Sequence, residues 1–248
     1  MELFILTGAS RGLGRALAEQ LLGSDHTLLT IARKPDATLE KDTRGARLEQ
    51  WSCDLADAPA AAARLEEWLR KQESHMHTRV TLINNAGLLS RIGPIDLDTF
   101  AALSDVLRVG LEAPLLLTAA FLRATRDWRG ERRVLNISTG ASRTAITGWA
   151  GYCAAKAGLD HFSRVVALDE AGRPNPAKIV SLAPGVIDTD MQAQLRMADA
   201  GGFPDQQRFL DLKASGELAS AEEAARRVLA FLRRADFGTK PTADVRDP

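Results

Sequence analysis

One tyrosine and one lysine, four residues apart, offer the clearest chemistry in this 248-residue sequence. Tyr152 and Lys156 fall in a segment predicted to be helical, where side chains at this spacing project from one face. An adjacent ammonium lowers the pKa of a phenol, which is ordinarily near roughly 10. The pair could therefore exchange protons near neutral pH. The spacing alone also fits a solvated lysine beside a half-buried tyrosine, although Tyr152 is the sole tyrosine in the chain.

Hydroxyl and amide side chains stand at the ends of three predicted strands. Ser138 ends the run RVLNIS, the segment NNAG ends another strand, and PGVIDT ends a third. Because the carboxyl ends of parallel strands meet at one edge of a sheet, we expect Ser138 to lie near Tyr152 and near any ligand bound at that edge. Glycines there permit close backbone approach, and asparagines can hold strand ends by hydrogen bonds.

The first predicted strand runs directly into a glycine-rich turn, TGASRGLG from Thr7 to Gly14, and a helix follows at once. Glycines let the backbone approach a pyrophosphate, which the free N–H groups and the dipole of a helix start attract. The alternative is a plain β-α turn without a ligand. The strand before the turn, the helix after it and its N-terminal position favour dinucleotide binding.

The residues after the second predicted strand indicate which nicotinamide coenzyme is used. An NAD enzyme usually places an acidic residue there to bind the ribose 2′-hydroxyl, whereas this chain has Arg33. Arg33 and Arg11 could clamp a 2′-phosphate through charge-assisted hydrogen bonds, which predicts NADP(H). The alternative is that both arginines are ordinary surface charges, and Asp36 is the nearby carboxylate that could reverse the prediction.

The elements that must position these groups alternate between strands and helices. Runs of mostly apolar, β-rich residues, typical of parallel strands covered on both faces, begin at Leu3, Thr27, Val80, Arg133 and Lys178. Helices are predicted over 12–22, 59–71, 99–128, 152–171 and 221–234. We therefore predict one α/β domain over 1–248, a doubly wound Rossmann-type parallel sheet of about seven strands with helices on both faces.

Composition excludes several other classes of protein. Lys plus Arg and Asp plus Glu both number 32, so no net charge draws the chain to nucleic acid or to an anionic membrane surface. The N-terminal apolar run is too short for a signal peptide, and no stretch has membrane-spanning length. The two cysteines lack metal-ligand spacing, so no metal site is predicted. Together these features predict a cytoplasmic enzyme acting on a small molecule.

Taken in order, TGASRGLG, CDL, NNAG, NIS, YCAAK and PGVIDT resemble the short-chain dehydrogenase/reductase family over nearly the whole chain. The resemblance implies that Ser138 orients a substrate carbonyl, that Tyr152 donates the proton, and that Lys156 binds the nicotinamide ribose. Hydride would pass from the nicotinamide to the carbonyl carbon. The coenzyme contacts expected from these motifs are Gly8, Ser10, Arg11, Gly12, Leu13, Gly14, Arg33, Asp54, Leu55, Asn85, Ala86, Gly87, Tyr152, Lys156, Pro184, Gly185, Ile187 and Thr189.

One position departs from the family pattern. Family members commonly carry an asparagine, in a Val-Asn-Leu context, that supports a water-linked proton relay. Here the residue between Val109 and Leu111 is Gly110, which has no side chain to take part in a relay and weakens the helix around it. Either the relay is lost, or water or another group takes its place.

Two segments of the sequence indicate the class of substrate. GYC from Gly151 and the run from Ala183 to Arg196 are similar to bacterial benzil reductases that form (S)-benzoin and to sepiapterin reductases. This likeness implies an NADPH-dependent carbonyl reductase acting on one carbonyl of an aryl or vicinal diketone, under a substrate lid at about 188–215. The substrate residues expected are Ser138, Trp149, Tyr152, Met191 and Leu195. Leu88, Leu89, Ile187 and Phe203 are further apolar candidates, and each could equally pack the lid against the body.

Three other functions stay open at this point. The chain could reduce a pterin carbonyl, as sepiapterin reductases do, or oxidise an alcohol with NAD. A protein of another class, a non-catalytic NADPH-binding sensor or scaffold, is supported by Gly110 alone. The family resemblance further implies a homodimer or homotetramer assembled through the long helices that follow Thr99 and Tyr152.

Overall fold

A computed structural model describes residues 1–23, 25–199 and 201–247. Within them seven parallel strands form one sheet in the order β3-β2-β1-β4-β5-β6-β7. The strands are β1 (Glu2–Thr7), β2 (His26–Ala32), β3 (Arg47–Ser52), β4 (Arg79–Asn84), β5 (Glu131–Ile137), β6 (Lys178–Ala183) and β7 (Thr242–Asp244). The strand order reverses between β1 and β4, so the predicted doubly wound parallel sheet is confirmed.

Helices cover both faces of the sheet, as the apolar strands require. They are α1 (Gly12–Leu21), α2 (Ala37–Lys41), α3 (Ala58–Arg70), α4 (Phe100–Leu107), α5 (Ala113–Ala124), α6 (Ala150–Ala171), α7 (Asp190–Arg196), α8 (Gln206–Ala214) and α9 (Ala221–Arg233). One core cluster joins the sheet to α1 and α9, and the other joins it to α3 and α5. None of the helices in these described residues is long and apolar enough to cross a membrane.

The predicted helix over 99–128 is interrupted. A turn of π-helix, Arg108–Glu112, separates α4 from α5, and α5 ends at Ala124. Pro114 explains the interruption, because a proline has no N–H to donate to the carbonyl four residues earlier and its ring crowds that carbonyl. That carbonyl belongs to Gly110, the residue that departs from the family pattern.

Candidate active site

The carboxyl ends of the strands open into one cleft of about 550 Å³. Every residue predicted to contact coenzyme or substrate lines this cleft, from Gly8 in the first turn to Leu195 on α7. The topology explains the convergence, since the cleft lies where the strand order reverses beside β1. The fold therefore brings the predicted residues together in one cleft.

The glycine turn is built for close backbone packing. A Cβ on Gly14 would lie 2.1 Å from the carbonyl oxygen of Gly8, so only a glycine fits there. Gly8 has a φ of +74°, in the left-handed region that glycine adopts without strain. In the described structure no side chain caps the start of α1, and no acidic residue lies in its first turn. Free N–H groups at that helix start suit the pyrophosphate of a dinucleotide.

Asn85 holds the turn against the neighbouring strand. Its Nδ2 donates to the carbonyl oxygens of Thr7 at 3.0 Å and of Gly8 at 3.2 Å. The hydroxyl of Thr7 accepts in return from the backbone N–H groups of Asn85 and Ala86, both at 3.0 Å. The predicted role of asparagine at a strand end is thus seen directly, and it fixes the floor of the cleft between β1 and β4.

Charged residues near the glycine turn and the end of β2 divide into free and engaged groups. Arg33 is exposed and lines the cleft. Asp36 instead caps α2 by accepting from the N–H of Thr38 and pairs with Arg15 at 3.3 Å, and the Thr38 hydroxyl lowers the pKa of its carboxyl. The carboxylate of Asp36 is thus already engaged at the start of its own helix, α2. Arg11 reaches across the cleft to Asp190, 3.5 Å away.

Tyr152 and Lys156 lie deep in the cleft on adjacent turns of α6. Nζ of Lys156 donates to the carbonyl oxygen of Ile137 at 2.7 Å and lies 5.9 Å from the centre of the Tyr152 ring. Burial lowers the pKa of Lys156 to about 8, against the opposing charge of Asp160. Burial also raises the pKa of Tyr152 to about 12. The structure therefore does not show the predicted lowering of the tyrosine pKa by the lysine, because burial, the largest cause, raises that pKa and the only opposing contribution is the hydrogen bond with Thr139.

The hydroxyl that faces Tyr152 belongs to Thr139. Its hydrogen bond lowers the pKa of Tyr152 against the effect of burial, so its hydrogen is directed at the phenolic oxygen, while its Oγ1 accepts from the N–H of Ala141 at 3.3 Å. Ser138, the residue singled out from the sequence, is 3% exposed and donates its hydroxyl to Asp160 at 2.6 Å. Ser138 lines the cleft, but its hydroxyl is engaged by Asp160, so Thr139 is the residue whose hydroxyl meets Tyr152 and the role of Ser138 stays a prediction. Thr139, the residue next to Ser138 in the same strand-end motif, also carries a hydroxyl, and this was the sequence signal that could have identified it.

Gly110 approaches α6 between the two proposed catalytic side chains. A Cβ on Gly110 would lie 3.1 Å from the Cβ of Ala155, which is closer than ordinary packing. The lack of a side chain at Gly110 therefore allows this part of the chain to pack closely against α6. Loss of the relay, or its replacement by water or another group, stays a prediction. The Gly110 carbonyl, to which Pro114 has no N–H to donate, lies at the same turn.

The segment predicted as a lid contains α7 and α8 and packs on an aromatic cluster. Trp149 stacks on Phe203 with ring centres 6.1 Å apart and meets the edge of Tyr152 at 5.4 Å. Met191 and Leu195 line the cleft as predicted, whereas Phe203 is fully buried behind Trp149. A backbone bridge between Ile187 and Ala219 closes the base of the segment. Position 200, within the predicted lid, lies outside the described residues.

The fold and this cleft together define an oxidoreductase of the Rossmann type. A family model described as short chain dehydrogenase matches residues 2–200. The chain therefore belongs to the short-chain dehydrogenase/reductase family, and the resemblance predicted from the motifs is confirmed.

Individual relatives cover almost the whole chain. A benzil reductase ((S)-benzoin forming) from Bacillus cereus is 35% identical over 239 residues, with 96% of each chain covered. A sepiapterin reductase from Rattus norvegicus is 30% identical and covers 98% of this chain and 95% of its own. A structure from Beutenbergia cavernae, solved with NADP bound at low occupancy, has a TM-score of 0.81 at 26% identity and covers 98% of this chain and 94% of its own.

Proposed function

We propose that this protein is an NADPH-dependent carbonyl reductase that converts one carbonyl of an aryl or vicinal diketone to an alcohol. The observation that carries the proposal is the grouping of Thr139, Tyr152 and Lys156 at the apolar, Trp149-bearing end of a cleft whose other end is a glycine turn. A proton donor and a hydroxyl that can bind a carbonyl thus stand beside a pocket suited to aromatic rings.

The residues present fit a dinucleotide coenzyme. Gly8 and Gly14 form a cradle that a Cβ would fill, and the uncapped start of α1 supplies N–H groups for the pyrophosphate. Lys156 lines the same cleft and would hold the nicotinamide ribose, as the family resemblance implies, and Asn85 holds the glycine turn against β4. When bound, the reduced nicotinamide would supply the hydride.

The chain itself supplies positioning and the proton. Tyr152 is protonated at neutral pH, as an ordinary tyrosine is, and burial raises its pKa further, so it can donate its O–H to the carbonyl oxygen as negative charge develops there. Thr139 can donate its hydroxyl to the same oxygen, since its own oxygen already accepts from Ala141. Lys156 stays charged below about pH 8 and stabilises the phenolate that remains after the transfer.

Preference for NADP(H) is proposed on the charge at the adenosine end. Arg33 is free to bind a 2′-phosphate while Asp36 is held by α2. We expect Arg33→Asp to reduce the ratio of NADP to NAD affinity by about tenfold to a hundredfold, as for loss of one charged hydrogen bond. Lys34→Asp is the matched control, since that neighbour is exposed and lies outside the lining of the cleft. An equal affinity ratio in all three proteins would defeat the NADP(H) proposal.

The diketone substrate is proposed from the relative whose name records that reaction and from the lining of the pocket. Leu89, Trp149, Met191 and Leu195 line the cleft that holds Tyr152, and apolar side chains of this kind favour aryl groups. Polar residues also line it, among them Gln192, Gln194 and Arg208. We propose homo-oligomerisation as well, because apolar side chains are exposed on α4 and α6.

NADPH oxidation in the presence of benzil or phenylpropanedione tests the proposal. We expect turnover by the wild type and a loss of at least about a hundredfold in kcat for Tyr152→Phe, the usual size of a general acid's contribution. NADPH affinity of the variant, measured by fluorescence, should stay within about threefold of wild type because the coenzyme contacts remain. Binding of NADPH without reduction of any diketone, quinone or pterin carbonyl would instead identify a sensor or scaffold.

A further inference from the structure

A buried carboxylate outside the proposed catalytic group joins four segments of the chain. Asp160 lies on α6 and is 4% exposed. Its Oδ1 accepts from the hydroxyls of Ser138 and Ser181, each at 2.6 Å, and its Oδ2 accepts from Ser142 at 2.6 Å. These serines stand at the end of β5, in β6 and in the turn that follows β5. Charge-assisted hydrogen bonds of this length are among the stronger ones in proteins.

The contacts made by Asp160 bracket Thr139. Ser138 precedes Thr139 in the chain. The Ser142 hydroxyl lies 2.6 Å from Asp160 Oδ2 and 2.7 Å from the backbone carbonyl oxygen of Thr139, so its single hydrogen is shared between these two acceptors. The backbone of Thr139 is therefore held on both sides, while its own hydroxyl stays directed at Tyr152. A shift of this turn would move the carbonyl-binding hydroxyl away from the proton donor.

Asp160 also acts on Lys156 by charge. The two residues are four apart on α6, and the negative charge of Asp160 opposes the loss of the lysine proton that burial promotes. The other charged group facing the carboxylate is Arg143, whose Nε lies 3.7 Å from Oδ2. Asp244 on β7 faces Arg143 in turn and is itself paired with Arg246.

We propose that Asp160 is a positioning residue of this site, which fixes Thr139 through the hydroxyls of Ser138 and Ser142 and keeps the Lys156 ammonium charged. The kinetic part of this inference rests on the proposed ketone reduction. The electrostatic part does not, and it can be measured without turnover.

Titration of the Lys156 amine tests the electrostatic part. Isotope-labelled lysine is observed by NMR against pH in wild type and in Asp160→Asn, and Lys156→Arg assigns the signal. We expect Asp160→Asn to lower the midpoint by about one pH unit, the size of a nearby charge in a partly screened interior. Asp169→Asn makes the same change at an exposed site of α6 and should leave the midpoint unmoved. An Asp160→Asn midpoint within about 0.2 unit of wild type would overturn the proposal.

Turnover tests the positional part. We expect kcat to fall at least about tenfold in Asp160→Asn, with a KM for NADPH within about threefold of wild type, because misplacement of Thr139 affects the reacting geometry more than coenzyme binding. Ser142→Ala keeps the charge and removes one tether, so it should lower kcat about threefold to fivefold without moving the Lys156 midpoint. Wild-type kcat in both variants would overturn the positional role.

The titration and the kinetic experiment together distinguish failure of the proposed function from failure of the proposed role of Asp160. If wild type reduces no ketone, the proposed function fails and the lysine titration alone decides the role of Asp160. If Asp160→Asn does not fold, Ser142→Ala decides: a lowered kcat at unchanged thermal stability supports the proposal, and an unchanged kcat overturns it.

Discussion

Ser138 and Thr139 follow one another at the end of β5, yet their hydroxyls meet different partners. The backbone at Thr139 is extended, with φ of −163° and ψ of 161°, and successive side chains of an extended chain project to opposite sides. One hydroxyl therefore faces Asp160 and the other faces Tyr152. Which hydroxyl meets Tyr152 therefore depends on its position along the strand end as well as on its residue type.

This difference gives a paired prediction. Thr139→Val should lower kcat/KM for diketone reduction about a hundredfold, because it removes a hydrogen-bond donor to the developing oxyanion at nearly constant volume. Ser138→Ala leaves Thr139 in place and removes one of three donors to Asp160, so it should cost about tenfold at most. Steady-state kinetics on both variants measures the contrast. A larger loss for Ser138→Ala than for Thr139→Val would return the carbonyl-binding role to Ser138.

The two proposed proton-handling groups predict the pH dependence. The pKa of Lys156 is lowered to about 8 and that of Tyr152 is raised to about 12, so the lysine is the first of the two to lose its proton as pH rises. We expect kcat/KM for reduction to be level on the acidic side and to fall above about pH 8. Lys156→Arg, whose guanidinium stays charged, should move that fall to higher pH. A profile that is level well beyond the lysine pKa would contradict the assignment.

At the scale of elements, the π-helical turn between α4 and α5 sets how closely those helices approach α6. Gly110 meets the Cβ of Ala155, whose position is fixed by the α6 backbone, whereas Gly158 meets only the flexible end of Leu111. A methyl at Gly110 must therefore displace α6 between Tyr152 and Lys156. A methyl at Gly158 requires only a side-chain rotation.

Gly110→Ala and Gly158→Ala form a matched pair on this contact. We expect Gly110→Ala to lower the free energy of unfolding by about 1 kcal/mol and to reduce kcat, because packing strain outweighs the gain in helix propensity. Gly158→Ala should be neutral or stabilising by up to about 1 kcal/mol. Urea denaturation with parallel kinetics measures both. Equal effects of the two substitutions would show that the Gly110 contact can relax.

Elements differed in how far the sequence could predict them. Central strands such as β1 and β4 are apolar throughout and were found, but β3 alternates polar and apolar residues at the sheet edge and β7 has three residues, so only their surroundings gave a signal. Pro114 in the sequence indicated the π-helical turn, but the prediction of one helix over 99–128 did not use that proline. Asp160 was missed because its partners come from three separate segments that only the fold brings together.

At the scale of the whole molecule, apolar side chains stay exposed on the outward side of the α4, α5 and α6 layer. Phe100 is 93% exposed and Leu168 is 78% exposed, and Leu107 and Val165 are each more than 40% exposed. Surfaces of this kind commonly mark contact between protein chains. They lie on the helices through which the family resemblance implies a homodimer or homotetramer.

Assembly through this face should be sensitive to buried charge. Val165 and Leu168 are three apart on α6 and share one face, so Val165→Glu with Leu168→Glu would place two carboxylates in the interface without a partner. We expect the wild type to sediment as a dimer or tetramer and the double variant as a smaller species, with circular dichroism unchanged. Met197→Glu, at a side chain 76% exposed beyond the end of α7, is the control that should keep the wild-type mass.

Because Lys156 and Asp160 lie on the inward side of the same helix, loss of assembly should also loosen the site and lower kcat. A monomeric wild type, or a double variant of unchanged mass, would remove this face as the interface.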